Sequence, residues 1–228
     1  MEEDKLTTFI TAKPKTPFAP PQHEAYIYES NVSDLFDIEK AISIIKSKED
    51  KIKKTYPSDS DGGTGLGSDS LTSRFKYINL FQWPEFNLKS VVKQKHDTFL
   101  DVLQLDSPKI YGQSWANIMK KGQKINYHAH SRDNLCYLGG HIDLKTDNTY
   151  TNYINPFTYD IHYSKNKSGK ITLFSNWIQH GVDKVLSDRI TIAFDLCTQR
   201  YYDDFEIHPK LDDQKRIKNL VKSHWEKL

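Results

Sequence analysis

Apolar and polar positions change rhythm twice along this chain. Residues 1 to about 25 are rich in Thr and Pro and offer few core candidates, which predicts an extended amino-terminal arm. From Ser33, read as an N-cap, the run DLFDIEKAISIIKSK sets Leu35, Ile38, Ile42 and Ile45 at helical spacing and predicts a first helix. A second helix is predicted from roughly Asn87 to Leu105, burying Leu88, Val91, Val92, Phe99 and Val102. Between them, PSDSDGGTGLGSDS at 57–70 reads as loop, and SRFKYINLFQW after it reads as strand.

After Pro108 the helical period gives way to strand-like alternation. KIYGQSWANIM, KINYHAH, NLCYLGGHIDL, GKITLFSNWIQH and RITIAFDL are rich in branched and aromatic residues, with turn signals at Lys121-Gly122, Gly139-Gly140 and Ser168-Gly169. From Asp212 to Leu228 helical spacing returns through Ile217, Leu220, Val221 and Trp225. The pattern predicts a mainly β protein with flanking helices. Its segments are an arm at 1–25, a helical lead with the Gly/Ser-rich loop at 26–107, a β core at 108–200 and a helical tail at 201–228.

Composition narrows the classes. A length of 228 residues fits one domain or a main domain with a small extension, and with a mean hydropathy of -0.70 no run comes near the roughly 18 apolar residues of a membrane span. The start, MEEDKLTTFITAKPK, lacks a basic segment followed by an apolar one, so the expected location is cytoplasmic, the host cytoplasm if the chain is viral. With 32 basic and 30 acidic residues the formal charge is +2, which argues against general nucleic-acid binding. The run Lys46, Lys48, Lys51, Lys53 and Lys54 is broken by Glu49 and Asp50 and reads as a solvated helix end. Cys136 and Cys197 stand alone, which excludes a disulfide scaffold or a cysteine-rich zinc module. The 57–70 loop lacks both GxGxxG and a GKS or GKT ending, so it reads as a surface loop or lid rather than a phosphate cradle.

The chemistry centres on histidine. In KINYHAH a period of two sets Asn126, His128 and His130 on one face and Ile125, Tyr127 and Ala129 on the other. Imidazoles two residues apart, about 7 Å at the backbone, can converge on one metal ion, though a solvated strand also shows HxH by chance. GKITLFSNWIQHGV reads as a strand ending in His180, and nine residues later Arg189 opens RITIAFDL. There Arg189, Thr191 and Ala193 share one face, opposite Ile190, Ile192 and Phe194. An arginine with a hydroxyl two positions on is suited to a carboxylate, because its planar fork matches two oxygens. Asn126 can serve a co-substrate oxygen or a structural hydrogen bond. Trp115, Trp177 and Phe174 read as core or pocket wall, and His162, His208 and His224 receive no role.

The order of an HxH strand, about fifty residues of β structure, a distal histidine and an arginine at plus nine resembles the 2-oxoglutarate and Fe(II)-dependent oxygenases, especially the small members found in cyanophages and marine bacteria. The resemblance spans roughly Ser114 to Leu196, through SWANIMKKG, NYHAH, GKITLFSNWIQHGV and RITIAFDL. It implies a double-stranded β-helix, the cupin-like jelly roll, whose mouth holds the iron and co-substrate. It also implies hydroxylation of a peptide or small-molecule substrate with O2, converting 2-oxoglutarate to succinate and CO2. Carried over, His128 and His180 would bind Fe(II), Arg189 would pair with the distal carboxylate of 2-oxoglutarate, and Thr191 would add a hydrogen bond.

One position departs from that family, whose triad is HxD or HxE plus a distal histidine, because here the carboxylate position is His130. Three arrangements stay open: His130 completes a three-histidine face; Asp133, or the pair His141 and Asp143 in GGHIDL, supplies a carboxylate; or His130 serves from outside the metal while water or substrate fills the third place. Two rival classes stay open: a three-histidine cupin-type dioxygenase that uses no 2-oxoglutarate, and a metal-free jelly-roll binding protein. No sequence feature sets the oligomeric state or the substrate.

Overall fold

In a computed structural model, which describes residues 4–58, 60–130, 137–199 and 225–228, two antiparallel sheets carry the chain. Strands β1 (Lys5–Ile10) and β2 (Glu24–Asn31) precede helix α1 (Ile38–Thr55) and helix α2 (Leu88–Val102). The core strands follow as β3 (Ile110–Met119), β4 (Ile125–His128), β5 (Leu138–Lys145), β6 (Tyr150–Ile154), β7 (Ile161–Lys165), β8 (Lys170–Ser175), β9 (His180–Val182) and β10 (Arg189–Thr198). A last pair of residues forms β11 (Glu226–Lys227).

The larger sheet has the order β1-β2-β8-β5-β10-β3-β11, and the smaller one β4-β9-β6-β7. From β3 onward the chain alternates between them: β3, β5, β8 and β10 lie in the large sheet, and β4, the β6–β7 hairpin and β9 in the small one. That winding is a double-stranded β-helix, or jelly roll. The alternation on β10 follows the predicted period. Ile190, Ile192, Phe194 and Leu196 join the main core with Leu88, Val91 and Phe99 of α2 and Ala41 and Ile45 of α1, while Arg189, Thr191 and Ala193 line an internal cavity.

Several predicted elements differ in detail. Helix α1 starts later than Ser33 because Asp37 is the N-cap, its side chain accepting from Lys40 N at 3.0 Å; Ala41, Ile45 and Ile52 are buried, while Leu35, Ile38 and Ile42 sit at the rim. Helix α2 stops at Val102, which is exposed, and buries His96 and Leu100. The predicted strand at 73–83 is instead turn and 3-10 helix. Asn79 fixes it there, accepting from Phe81 N and Ser114 N at 3.1 Å each and donating to Gly112 O at 3.0 Å, while Leu80 and Phe81 enter the core.

The supposed single strand ending at His180 is two strands in different sheets, β8 and β9, separated by a turn in which Ile178 N donates to Ser175 O at 3.0 Å. The arm contributes β1, and Phe9 and Ala25 are buried beside Ile27, Tyr153 and Phe174. Most of the predicted tail helix lies outside the described residues; at Glu226–Lys227 the chain is strand, paired with Tyr111 and Gly112 of β3. Among the described residues no helix is long and apolar enough to cross a membrane.

Tight sheet packing falls on Gly140 of β5. A Cβ there would strike the Phe194 ring and lie 2.7 Å from Thr172 O, so neither a rotamer change nor an empty space accommodates it. Gly140→Ala is therefore expected to lower unfolding free energy by about 1–3 kcal/mol, read as a lower urea midpoint at unchanged m-value.

Candidate metal centre

Strands β4 and β9 pair in the small sheet with His128 directly opposite His180, which sets their ring centroids 4.5 Å apart. His130, two residues beyond His128, is held by its backbone N–H donating to Asn176 O at 3.1 Å, and its ring centroid lies 5.2 Å from His128 and 5.1 Å from His180. One ligand atom from each of the three lies within 4.8 Å of the others. Among the described residues this is the one such group of metal-capable side chains, and it includes neither His141 nor Asp143.

Each imidazole has its Nδ1 fixed by an oxygen that can only accept. His128 Nδ1 donates to Asn126 O at 2.8 Å, His180 Nδ1 to Ile178 O at 3.1 Å, and His130 Nδ1 to Asp195 Oδ1 at 2.5 Å. With the proton on Nδ1, every Nε2 keeps its lone pair for a shared point, the tautomer a metal site requires. Burial, reinforced by the neighbouring imidazoles, lowers His180 well below the ordinary histidine value and lowers His128 as well. Burial also opposes charge on His130, but the Asp195 carboxylate outweighs it and holds His130 above that value. The donor set thus fits a borderline cation such as Fe(II), bound through three nitrogens with further positions open.

Asp195 is the residue that sequence reading missed. Its signal was available, since the period that groups Arg189, Thr191 and Ala193 on β10 continues to Asp195. Asn126 shows the opposite error. A register irregularity between Ile125 and His128 breaks the alternation, so Ile125 lines the cavity, and the Asn126 side chain donates to Gly63 O at 3.4 Å. The sequence's face assignment is corrected accordingly: Asn126 is not brought to the histidines' side. Asp133 lies outside the described residues.

The histidines open inward on a small cavity of about 60 Å³ whose deeper wall includes His141, Thr151, Arg189 and Thr191. Arg189 is 3% exposed, and its Nη2 reaches Asp143 Oδ1 and Thr151 Oγ1, each at 3.3 Å. Asp143 therefore answers to the arginine rather than to the metal point. Of the residues lining this end, His141 has a buried Nε2 with no hydrogen-bond partner, which marks the end as able to receive a polar ligand. A carboxylate matches the Arg189 guanidinium and the hydroxyls of Thr151 and Thr191 at this end, so the residues present also fit 2-oxoglutarate.

Outward, the histidines border a mouth of about 590 Å³ walled by Phe75, Trp115 and Tyr127 and by the glycine loop. The loop is shaped by Asp61, whose carboxylate accepts from the backbone N–H of Gly63, Gly65 and Gly67 at 2.9, 2.8 and 3.0 Å. It is stapled to β4 where Asn126 N donates to Thr64 O at 2.9 Å, and a Cβ on Gly65, whose φ is +83°, would lie 2.7 Å from Asn126 Nδ2. Trp115 and Phe174 are pocket wall as expected, whereas Trp177 is 40% exposed and rests against Phe157.

No family model matches the chain, and no curated protein matches it. Among solved structures it is similar to the viral collagen prolyl hydroxylase of Paramecium Bursaria Chlorella virus-1, solved as a 2OG complex, at 13% identity and TM-score 0.49 over 75% of this chain and 96% of that one. It is similar also to a prolyl-4-hydroxylase of Pseudomonas putida, at 8% identity and TM-score 0.46 over 76% of this chain and 92% of that one. A third likeness is to an oxidoreductase of the 2OG-Fe(II) oxygenase family from Burkholderia pseudomallei, at 13% identity and TM-score 0.42 over 66% and 76% of the two chains.

Proposed function

We propose that this chain is a non-haem Fe(II) and 2-oxoglutarate-dependent dioxygenase that hydroxylates a peptide or small-molecule substrate. The observation that carries the reading is the convergence of His128, His130 and His180, each with Nδ1 pinned by an acceptor, above a cavity that ends at buried Arg189. His128, His130 and His180 would hold the iron. Arg189 and Thr191 would hold the distal carboxylate of 2-oxoglutarate. Bound together, iron and co-substrate supply the activation of O2 that ends in hydroxylated product, succinate and CO2.

The chain's own work is binding, orientation and exclusion of water. Asn126 O, Ile178 O and Asp195 keep the imidazoles turned toward one point, and Phe174, packed 4.6 Å from the His180 ring centroid, shields them on the inner side. Phe75, Trp115 and Tyr127 offer the mouth an apolar wall for substrate, and the glycine loop closes one side of it. Among the described residues no Lys or Arg lines that mouth, so its described wall offers no counter-charge to a phosphate-bearing substrate such as nucleic acid.

The all-nitrogen donor set also favours a second reading, a three-histidine dioxygenase that binds its substrate directly to iron and places Arg189 on a substrate carboxylate. An anaerobic titration separates the two. Addition of Fe(II) and then 2-oxoglutarate is expected to give the visible charge-transfer band of a chelated keto acid at one equivalent. Iron binding without the band would transfer the assignment to the second reading, and no iron binding would leave a binding protein.

Two variants refine the site. Arg189→Ala is expected to abolish the band at 2-oxoglutarate concentrations that saturate the parent while leaving the Fe(II) affinity near the parent value; equal loss of both would contradict its role. Asp195→Ala, which frees His130 to rotate, is expected to weaken Fe(II) binding roughly 10–100-fold, measured by competition with a chromophoric chelator. An unchanged affinity would show that the His130–Asp195 contact does not serve the metal.

A further inference from the structure

At the deep end of the cavity the charges already balance. Arg189 on β10 faces Asp143 on β5 at 3.3 Å, and both are buried. The other groups around Asp143 are accounted for element by element. Lys170 on β8 is ion-paired at 2.8 Å with Glu29 on β2, which Lys5 on β1 approaches at 3.4 Å. Tyr153 on β6 is fully buried, with its hydroxyl unpartnered. In the β7–β8 turn, Lys167 N donates to Asp143 Oδ2 at 3.2 Å, and Asn166, with its amide oxygen turned to Arg189 Nε, donates to the same oxygen at 3.3 Å. His141, on the same strand as Asp143, presents Nε2 to Asp143 Oδ1 at 3.7 Å, too far for a hydrogen bond, and that nitrogen has no other partner.

A distal carboxylate arriving at Arg189 therefore adds a negative charge to a buried site whose one facing cation is already matched. Such a charge is costly unless something neutralises it. The arginine has room for the newcomer, because its Nη1 faces only the Met119 thioether, at 3.7 Å. What lacks a counterpart is Asp143, and beside it stands an unpartnered ring nitrogen, His141 Nε2.

Resting on the function proposed above, we infer that Asp143 makes capture of 2-oxoglutarate proton-coupled: the distal carboxylate takes over Arg189, and one proton from solvent enters with it, taken up by the Asp143–His141 pair. The balance is one dicarboxylate and one proton in, none released. Asp143 then selects against a distal carboxylate at high pH while leaving the metal-chelating end of the ligand unaffected. The free site is prepared for this. Burial, only partly offset by Arg189 and Lys170, raises Asp143 to about 6, and burial with Arg189 and Lys170 lowers His141 well below the ordinary histidine value, which keeps it neutral.

The sign of the effect is fixed. The pair gains affinity for its proton when ligand occupies Arg189, so 2-oxoglutarate binds most tightly at and below about pH 6 and weakens as pH rises, by up to roughly tenfold per unit. Protonation of the three metal histidines would act oppositely, weakening binding as pH falls.

The experiment is anaerobic calorimetry of the Fe(II)-loaded protein with 2-oxoglutarate from pH 6 to 8, in buffers of different ionisation enthalpy, so that protons are counted directly. The comparison ligand is 2-oxobutyrate, which has the same keto acid end and no distal carboxylate. Near one proton taken up with 2-oxoglutarate above pH 7, none with 2-oxobutyrate, and a flat, proton-free profile in Asp143→Asn are expected. Because the proton count on the unaltered chain decides the matter, poor folding of Asp143→Asn does not rescue or sink the inference. Binding of 2-oxoglutarate without proton uptake, or the same pH slope for 2-oxobutyrate, overturns this inference alone. Absence of 2-oxoglutarate binding at every pH overturns the proposed function and this inference with it.

Discussion

The short pairing of β4 with β9 is the constraint on which the site depends. One register point sets His128 against His180, and the irregularity next to it turns Ile125 inward and lets the strand end so that His130 can swing beneath Trp115. Neither strand exceeds four residues, so their own ladder bonds supply little stability. Their position is enforced from outside: β6 pairs the far edge of β9, Val182 and Ile125 pack with Met119 and Val185, and Asn176 O anchors His130. A shift by one residue would send the imidazoles to the opposite face, which is why the surrounding packing is dense where the strands are short.

The two sheets divide the chemistry. The small sheet supplies His128 and His180, both neutral and both fixed through backbone carbonyls. The large sheet supplies Arg189 in the cavity wall and Asp195 at the mouth from β10, and Asp143 behind Arg189 from β5. Register explains the economy of the arrangement, since Thr191 pairs Asp143 and Ala193 pairs His141 across β5 and β10. A small residue at 193 leaves space between the metal end and the arginine end, and branched residues at the alternate positions seal the helix-covered face.

Much of this could be read from the sequence, and for a physical reason: period-two alternation with β-branched residues survives in β3, β5, β8 and β10 because those strands are buried on one face by helices and on the other by the cavity. The HxH pair and the distal histidine were visible for the same cause. What the sequence could not show is local and three-dimensional. The break between β8 and β9 looks continuous because Phe174, Trp177 and Ile178 are all apolar, although one lies in a strand, one on the surface and one in a turn. SRFKYINLFQW has strand composition, yet Asn79 captures its backbone for a 3-10 turn. Asn126 falls on the wrong side because an irregular register leaves no mark in composition.

Set against the family that the sequence resembles, and on the function proposed above, the carboxylate expected at position 130 is displaced rather than lost. With histidine at 130, a carboxylate stands one hydrogen bond further back, at Asp195, where it accepts the Nδ1 proton instead of touching the metal point. The same device recurs at the other end, where Asp143 stands behind Arg189. Each acid orients the group in front of it and subtracts from its charge, so neither end of the cavity presents a bare cation or a bare anion. Removing one member of such a buried pair typically costs about 3–5 kcal/mol, because the remaining charge is left without a partner. His130 and Arg189 are thereby each held by a carboxylate partner, and a charged ligand placed between them would enter a site whose charges are already matched.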